Sequence, residues 1–315
     1  MEKDNLIIGT RGSKLALSQT NQIKSALLTA LPGLQVEIRT IRTTGDKILD
    51  TALSKIADKG LFTKEIENHL LDGSIDLAVH SFKDLPTTIP SGLTIAAIPP
   101  RVDSADVLIS KNNLSLDQLP PAALVLTGSL RRRAQLLHHN PDLNVQDIRG
   151  NVPTRLRKLD ESNAHALVIA AAGLIRLGLQ NRITQRLNPS QFLPACGQGA
   201  LALEIRADDD QTRQLVAALE DPESRTTATA ERTVLHQLQG GCQIPIGAHA
   251  YIENQQLHLY ALLSDLEGRC LLTTHQIGSP DQPESLGQTA ADHLLSQGGR
   301  DIINQILPEP RGNIT

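Results

Sequence analysis

Apolar stretches typical of β-strands alternate with helical patterns through the first two thirds of the 315-residue chain. The predicted strands lie at 5–9, 36–41, 75–79, 93–98, 123–126, 145–148 and 166–169. Helices are predicted after Ser13 and Thr63, which can cap them, and at 130–139, 153–161 and 173–178. Because strands joined through helices of this length form mostly parallel sheets, the order predicts two doubly wound α/β domains.

The last third of the chain has a different pattern. After a helix at 228–238, hairpin-like strands are predicted over 246–277, with a turn at 265–268 and a helix at 285–297. This pattern predicts a smaller C-terminal α+β domain. The segment 188–206, rich in Pro and Gly, is expected to return the chain to the first sheet.

We therefore expect domain 1 at 1–99 with 200–217, domain 2 at 100–199 and domain 3 at 218–315. The two α/β domains together resemble the two-lobed, transferrin-like architecture of solute-binding proteins. In such an arrangement the ligand is expected in the cleft between the lobes.

Composition narrows the class of protein. The three cysteines form no CxxC pair, and no His/Cys/Asp cluster has metal-ligand spacing, so neither a disulfide framework nor a metal site is expected. The N-terminal apolar run is short for a signal peptide, and no stretch approaches the ~20 apolar residues of a membrane span. We expect a cytoplasmic protein with reduced thiols and no membrane partner.

Charge is distributed unevenly along the chain. Residues 121–190 carry nine Arg and one Lys against four acids, whereas residues 207–315 carry six Arg against fifteen acids. A basic region inside a mildly acidic protein favours a local anionic ligand. Aromatic residues make up 2% of the chain and Trp is missing, which argues against nucleic acid as a partner.

Five short motifs place Arg or Lys directly after predicted strands, where open α/β sheets bind ligands. They are GTRGS (9–13), HSFKDLP (80–86), TGSLRRR (127–133), RGNVPTR (149–155) and AAGLIRLG (171–178). A solvated side chain explains any one of them, but five together favour a ligand with many carboxylates or phosphates, which match the planar fork of arginine. Arg131 and Arg132 oppose the dipole at the start of their predicted helix, so we do not expect a stabilising role for them. No GxxxxGK[ST] loop is present, which argues against a nucleoside triphosphate.

Cys242 stands in the motif GGCQIPIG at 240–247. Gly240 and Gly241 allow unusual backbone angles, and Pro245 favours an extended residue before it. Such a loop can hold the thiol out from the fold, or it can be a turn in which the cysteine fills space as a small buried hydrophobe. The motif alone leaves both interpretations open.

Nine stretches in order show that the sequence resembles the porphobilinogen deaminase (hydroxymethylbilane synthase) family over nearly its whole length. They are RGSKLALSQ, DKGLFTKEIE, HSFKDLP, GSLRRRAQ, RGNVPTRLRKL, AGLIRLGL, LPACGQGALALE, ATAERTVL and GGCQIPIG. The resemblance implies a transferase of tetrapyrrole (haem) biosynthesis. It implies that four porphobilinogen molecules are joined head to tail with loss of ammonia, and that hydrolysis then releases hydroxymethylbilane. It also favours a monomer.

The resemblance implies one dipyrromethane cofactor, held through a thioether to Cys242, and it assigns residues by motif. The implied catalytic carboxylate is Asp84, which stabilises positive charge as ammonia leaves and is able to shuttle protons. The implied cofactor-binding residues, besides Cys242 and Asp84, are Ser81, Lys83, Thr127, Ser129, Arg131, Arg132 and Arg155. The implied substrate-binding residues are Arg11, Ser13, Gln19, Arg149, Arg155 and Arg176, and the mobile active-site loop is implied at Lys55, Lys59 and Phe62.

Some positions depart from the family pattern. Gly128 stands where Ser is common, which removes one hydroxyl from the cofactor-binding stretch, and Phe82 replaces a more usual Leu or Met. Cys196 is expected to be a core residue, and Cys270 has no family role. His80 is expected to make a structural hydrogen bond, since nothing demands a base there.

Two other classes of protein share parts of this sequence pattern. A non-catalytic two-lobed solute-binding protein uses arginines to clamp anions, but it leaves Cys242 and Asp84 without a role. A cysteine-nucleophile hydrolase needs a histidine beside Cys242, and sequence does not place His80 or His236 there. The transferase is the favoured interpretation.

Overall fold

The N-terminal part of the chain forms a first sheet with helices around it. The computed structural model describes residues 4–47, 63–241 and 243–307. The elements of this part are β1 (Asn5–Arg11), α1 (Lys14–Ala30), β2 (Gln35–Ile41), α2 (Thr44–Lys47), α3 (Lys64–Leu71), β3 (Leu77–Ser81) and β4 (Leu93–Ala97).

A second sheet follows, again with helices between most of its strands. Its elements are β5 (Asp106–Ser110), β6 (Leu124–Leu126), α4 (Leu130–His139), β7 (Asn144–Gln146), α5 (Val152–Glu161), β8 (Ala166–Ala170), α6 (Ala171–Arg176) and β9 (Gln185–Arg186).

The remaining elements complete the first sheet and build a third one. They are β10 (Leu201–Arg206), α7 (Asp210–Ala217), α8 (Pro222–Gln237), β11 (Ile246–Glu253), β12 (Gln256–Ser264), β13 (Leu271–Gly278), α9 (Pro283–Leu294) and α10 (Arg300–Ile306).

The first two sheets are mixed, and each contains strands of both directions. The first has the order β2-β1-β3-β10-β4, in which β10 is antiparallel to both neighbours. The second has the order β7-β6-β8-β5-β9, in which β5 is antiparallel to both neighbours. Four of the five strands in each sheet therefore run in one direction, as expected for mostly parallel sheets, and β10 and β5 are the exceptions. The segments 98–105 and 187–200, which precede β5 and β10, carry the chain from one sheet to the other without an α-helix.

The third sheet is antiparallel, with the order β11-β12-β13. Its inner face packs against α8 and α9 through a core that includes Leu259, Leu263, Val234 and Leu294. The first part of β12 alternates between less buried and buried residues, as in a sheet with one covered face, and its last four residues are all buried. The predicted fold class, two α/β units and a smaller C-terminal α+β unit, is confirmed.

The first and second units are the α/β units built on the first and second sheets, and the third unit is the C-terminal α+β unit. The third unit is fixed to both segments that connect the first two sheets. Glu231 of α8 is fully buried and accepts two hydrogen bonds from the guanidinium of Arg101, at 2.8 and 2.9 Å. Its carboxylate also accepts from the backbone N–H groups of Gly197 and Ala250. One side chain thus joins the two connecting segments to the third sheet.

Helix starts show where local sequence signals succeed and fail. Ser13 caps α1, as expected, because its hydroxyl accepts from the N–H of Ala16 at 3.2 Å. Thr63 precedes α3 but has helical backbone angles and makes no side-chain cap bond, so the capping prediction is wrong there. None of the helices in the described ranges combines the length and apolar character needed to cross a membrane.

Candidate active site

A short 3-10 helix after β3, Phe82–Asp84, presents Lys83 and Asp84 at the end of the strand. Arg232 of α8 packs against this segment. Its guanidinium lies 4.3 Å from the centre of the Phe82 ring. Arg232 also donates to the carbonyls of Leu85 and Pro86, at 3.2 and 2.6 Å. These contacts fix the backbone that carries the two charged residues.

Lys83 faces the second sheet. Its ammonium donates to Oε1 of Gln198 at 3.2 Å. Burial lowers the pKa of Lys83 to about 8, an effect that Arg132 and Arg131 add to and that Asp84 and Asp106 oppose. Lys83 is therefore mostly charged at pH 7 and loses its charge in mildly alkaline solution.

Asp84 is exposed, in contrast to the fully buried carboxylate of Asp106. It interacts electrostatically with Lys83 of its own segment and with Arg155 of the second unit. The carboxylate that pairs with Arg131 and Arg132 is Asp106 and not Asp84.

Arg131 and Arg132, in the first turn of α4, converge on the fully buried carboxylate of Asp106. Nη1 of Arg131 lies 2.7 Å from Oδ2, and Nη2 of Arg132 lies 2.8 Å from Oδ1. The two guanidiniums hold the pKa of Asp106 far below its ordinary value, although burial acts against them. Asp106 thus supplies the negative charge that offsets the conflict of Arg131 and Arg132 with the helix dipole.

The start of α4 also presents two hydroxyl groups. Ser129 is the N-cap, and its Oγ accepts from the N–H of Arg132 at 3.4 Å. Thr127 is 3% exposed, and its Oγ1 is buried with no hydrogen-bond partner in the structure. A buried hydroxyl without a partner is costly, which makes Thr127 a group that a ligand can satisfy.

Gly128 lies between these hydroxyls in a place with no room for a side chain. A Cβ atom there would lie 2.7 Å from the carbonyl oxygen of Ile148 and 3.3 Å from Oδ1 of Asp147. Residue 128 thus lacks the serine hydroxyl of the family pattern, and its backbone lies close to the backbone of Ile148.

Arg155 and Arg149 add positive charge at the second sheet. Arg155, in the first half of α5, donates through Nε to the carbonyl of Gly150 at 2.7 Å. Burial, and then the charge of Arg132, lowers the pKa of Arg155 to about 10. Arg149 lies close enough to contribute to that shift. The structure thus brings Arg155 close to Arg132, and Arg149 close to Arg155.

The remaining predicted substrate residues lie at the end of β1, at and in α1, and in α6. Gln19 is buried and donates to Oγ of Ser81 at 2.9 Å. Arg176 donates to the carbonyl of Gly199 at 2.8 Å, and burial lowers the pKa of Arg176 to about 10. Arg11 ends β1, two residues before the N-cap Ser13.

Four predicted site residues, Cys242, Lys55, Lys59 and Phe62, lie outside the described residues. Gly241, directly before Cys242, is exposed, and a Cβ atom added to it would meet no atom within 4 Å. Gly240 is packed instead, since its Cβ would lie 2.5 Å from Leu235 Cδ1 and 2.6 Å from Ile246 Cδ1. The chain is therefore closely packed at residue 240 and has open space beside it at residue 241.

Two other expectations of the sequence hold. His80 makes a structural hydrogen bond, with Nε2 3.0 Å from Oε2 of the fully buried Glu204. Cys196 is 3% exposed and lies in the core of the third unit, where burial raises its pKa to about 12. Among the described residues no group of His, Cys, Asp and Glu side chains has the arrangement of a metal site.

Sequence reasoning missed Asp106 and Gln198, both fully buried. Asp106 opens an apolar strand, and a carboxylate in that position is a signal of a buried ion pair. Gln198 stands between two glycines, a pattern that indicates a constrained loop but not what the amide contacts.

Fold and site together define an α/β protein with a cationic site between two mixed sheets, in which the exposed carboxylate of Asp84 accompanies buried and half-buried cations. Such a site suits a ligand that carries many carboxylates.

The family models identify the group of proteins. A model described as porphobilinogen deaminase, dipyrromethane cofactor binding domain, matches residues 6–214, and a model of the porphobilinogen deaminase C-terminal domain matches residues 225–296. The porphobilinogen deaminase of Syntrophomonas wolfei is 50% identical over 299 residues, which cover 95% of this chain and 98% of that protein. The porphobilinogen deaminase of Syntrophobacter fumaroxidans is 47% identical over 299 residues, with 95% and 97% covered.

The chain belongs to the porphobilinogen deaminase family. It is a transferase that polymerises porphobilinogen to hydroxymethylbilane and uses a dipyrromethane cofactor. Solved structures with a similar fold include a TRAP periplasmic solute binding protein from Desulfovibrio salexigens, with a TM-score of 0.42, 9% identity, and 96% of this chain and 80% of that chain covered. A likeness of this size says nothing about ligand or activity.

Proposed function

We propose that Asp84 is the catalytic carboxylate of this reaction. The observation that carries the proposal is the position of Asp84, an exposed carboxylate that interacts with Lys83 from the first unit and with Arg155 from the second. A group between the two units can act on a substrate that both units bind. A fixed negative charge there stabilises the positive charge that develops on the substrate pyrrole as ammonia leaves.

The described residues fit the cofactor. Each pyrrole of a dipyrromethane carries an acetate and a propionate, so the site must supply cations and hydroxyl donors. Arg131 and Arg132 share the single carboxylate of Asp106, so one positive charge of this group is left to balance a ligand. Lys83 adds another cation, and Oγ1 of Thr127 is a buried donor without a partner. These features support a cofactor site.

In this proposal the cofactor is bound covalently through Cys242 and supplies the primer on which the product chain is built. The residues that hold its carboxylates are Ser81, Lys83, Thr127, Ser129, Arg131, Arg132 and Arg155.

The substrate and the growing chain are held, in the same proposal, by Arg11, Ser13, Gln19, Arg149, Arg155 and Arg176. The active-site loop contains Lys55, Lys59 and Phe62. Arg176 donates with Nη2 to Gly199, while its Nε is buried without a partner, so the guanidinium retains a donor for a ligand carboxylate.

The roles of the chain's own side chains follow from charge and position. Arginine and lysine bind the carboxylates and orient the pyrrole rings. Asp84 stabilises the cation formed as ammonia departs, and its carboxylate can accept and return a proton. Lys83, which is charged near pH 7, keeps a positive charge beside Asp84.

We further propose domain bounds of 1–99 with 200–217, 100–199 and 218–315. The position of β10 in the first sheet supports the discontinuous first domain. We also propose a cytoplasmic monomer. Cys196 and Cys270 are free, as in a reducing compartment, and sedimentation of the purified chain as a particle of 34.0 kDa, with the small addition of the cofactor, would support the monomer.

Substitution of Asp84 tests the proposed mechanism. In Asp84→Asn we expect the fold, the cofactor and substrate binding to remain, and turnover to fall by about 10²–10³ or more, the usual value of one preorganised electrostatic contact. Asp84→Glu keeps the charge and should retain more activity than the amide. Ammonia release and substrate binding are measured on the same preparations. Equal turnover of Asp84→Asn and the wild type would remove Asp84 from the mechanism, and tighter substrate binding without turnover loss would indicate an anion clamp.

A further inference from the structure

Gln198 is a fully buried glutamine at the point where the first and second sheets meet. Its Oε1 accepts from two cations that belong to different units, Nζ of Lys83 at 3.2 Å and Nη2 of Arg132 at 3.3 Å. Its Nε2 donates to Oδ1 of Asp106 at 2.8 Å and to the carbonyl of Ser104 at 2.7 Å. One amide thus contacts both signs of charge in this network.

The chemistry of the amide explains why a glutamine suits this place. Its oxygen accepts from cations and its nitrogen donates to a carboxylate, so every neighbour receives the partner that it needs. A carboxylate in place of the amide would oppose Asp106, and an apolar side chain would leave Asp106 and Lys83 each with one partner fewer.

The backbone holds Gln198 in position on both sides. Gly199 has φ +91°, and a Cβ atom on it would lie 2.5 Å from the carbonyl oxygen of Val102. Gly197 has φ +73° and donates to Glu231. The carbonyl of Gln198 accepts from Nε of Arg101 at 2.8 Å. The amide is therefore anchored independently of the cations that it contacts.

Lys83 meets both signs of charge in its surroundings. Asp84 of its own segment and Asp106 of β5 attract its ammonium, whereas Arg131 and Arg132 of α4 repel it. Gln198 is the side chain to which the ammonium donates, so it holds Lys83 near two guanidiniums against their repulsion.

We propose that Gln198 is a positioning residue that fixes Lys83 of the first unit against Arg132 of the second, and thereby sets the spacing at which cations from both units hold the cofactor carboxylates. The proposal rests on the proposed function only for the identity of the ligand, since the placement of Lys83 by Gln198 is independent of turnover.

The test compares two substitutions of Gln198 with a matched control. Gln135 is another buried glutamine, and its amide makes three hydrogen bonds, to the backbone of Leu193 and Arg131, without touching Lys83 or Asp106. Gln135→Leu therefore reproduces the loss of a buried amide without the loss of the contact to Lys83.

The readout is the pH dependence of Lys83 labelling by a small amine-reactive reagent, followed by peptide mass spectrometry on the purified full chain. In Gln198→Leu the ammonium loses its acceptor, so the midpoint should move to lower pH by about one pH unit. In Gln198→Glu a negative charge is added, so the midpoint should move to higher pH by a similar amount. In Gln135→Leu the midpoint should stay at the wild-type value.

Cofactor loading is measured by intact mass on the same samples. Gln198→Leu should carry at least tenfold less cofactor than Gln135→Leu at equal folded fraction. An unmoved midpoint in Gln198→Leu, or equal loading in the two leucine variants, would overturn the proposal. If Gln198→Leu does not fold, Gln198→Glu decides, and a midpoint that does not rise would overturn it. The two proposals can fail separately. If Asp84→Asn kept full turnover while the Gln198 variants showed the expected midpoint shifts, the catalytic role of Asp84 would be contradicted and the positioning role of Gln198 would stand.

Discussion

Asp106 of β5 and Arg131 of α4 form a buried ion pair across the second sheet, with 2.7 Å between Oδ2 and Nη1. Asp106 is 0% exposed and Arg131 is 5% exposed, so both charges have left water. Such a pair contributes little net stability as a whole, but the loss of one partner is costly because the other charge stays buried.

Asp106→Asn should therefore destabilise the fold strongly. Two guanidiniums would lose their shared carboxylate, and removal of one partner from a buried pair costs about 3–5 kcal/mol. The free energy of unfolding is measured in urea. Glu267→Gln is the control, since it breaks the more exposed ion pair of Glu267 with Arg133, in which the charged atoms lie 2.8 Å apart. Loss of this pair should cost about 1 kcal/mol or less. Equal losses in the two variants would contradict the role of Asp106.

The ionised carboxylate of Asp106 should also affect how the stability of the fold changes in acid. The pKa of Asp106 is lowered in the folded state by Arg131 and Arg132, so the folded chain binds fewer protons than the unfolded chain. The contribution of Asp106 to the free energy of unfolding is therefore complete above the ordinary Asp pKa of about 3.9, and it is lost as the pH falls below that value. The free energy of unfolding of the wild type should fall more steeply between about pH 4 and pH 2 than that of Asp106→Asn. Parallel pH profiles would show that Asp106 is not held ionised by the arginines.

Local sequence patterns predict the helices and strands of this region, but not its ion pairs. The helix at 130–139 follows from its cap and apolar spacing, and the structure has the same bounds. Arg131 and Arg132 are separated from Asp106 by 25 and 26 residues, and only the tertiary fold brings them together. The strand directions of β5 and β10 escape prediction for a similar reason, since direction depends on how the connecting segments cross.

Gly128 provides a test of packing at the candidate site. A Cβ atom at this position would lie 2.7 Å from the carbonyl of Ile148, so Gly128→Ser should destabilise the chain by about 1–3 kcal/mol through overpacking. Gly241→Ala is the control for stability, because the added atom meets no neighbour within 4 Å. Thermal unfolding of both variants is the measurement. A Gly128→Ser chain as stable as the wild type would mean that the backbone at Ile148 yields without cost.

The arginines of the site should separate into two groups in function. Arg132→Leu should hinder cofactor assembly, since Arg132 lies beside Lys83 and Thr127 is near by at the start of the same helix. Arg176→Leu should keep the cofactor and stall elongation. Each loss of a charge-assisted hydrogen bond costs roughly 1.5–3 kcal/mol, which corresponds to about tenfold or more in binding.

Mass spectrometry of enzyme–substrate complexes distinguishes the two outcomes for these arginines. Chains without cofactor are expected for Arg132→Leu, and chains with cofactor and incomplete product for Arg176→Leu. Normal cofactor content together with normal elongation in both variants would place the carboxylate-binding site elsewhere.

Attachment of the cofactor at Cys242 is the point on which the proposed site depends most, and the intact mass of the purified chain measures it directly. The wild type should carry an excess mass of one dipyrromethane, Cys242→Ala should lack it, and Cys196→Ala and Cys270→Ala should keep it. The same excess in Cys242→Ala, or an unmodified wild-type chain with normal turnover, would contradict the assignment.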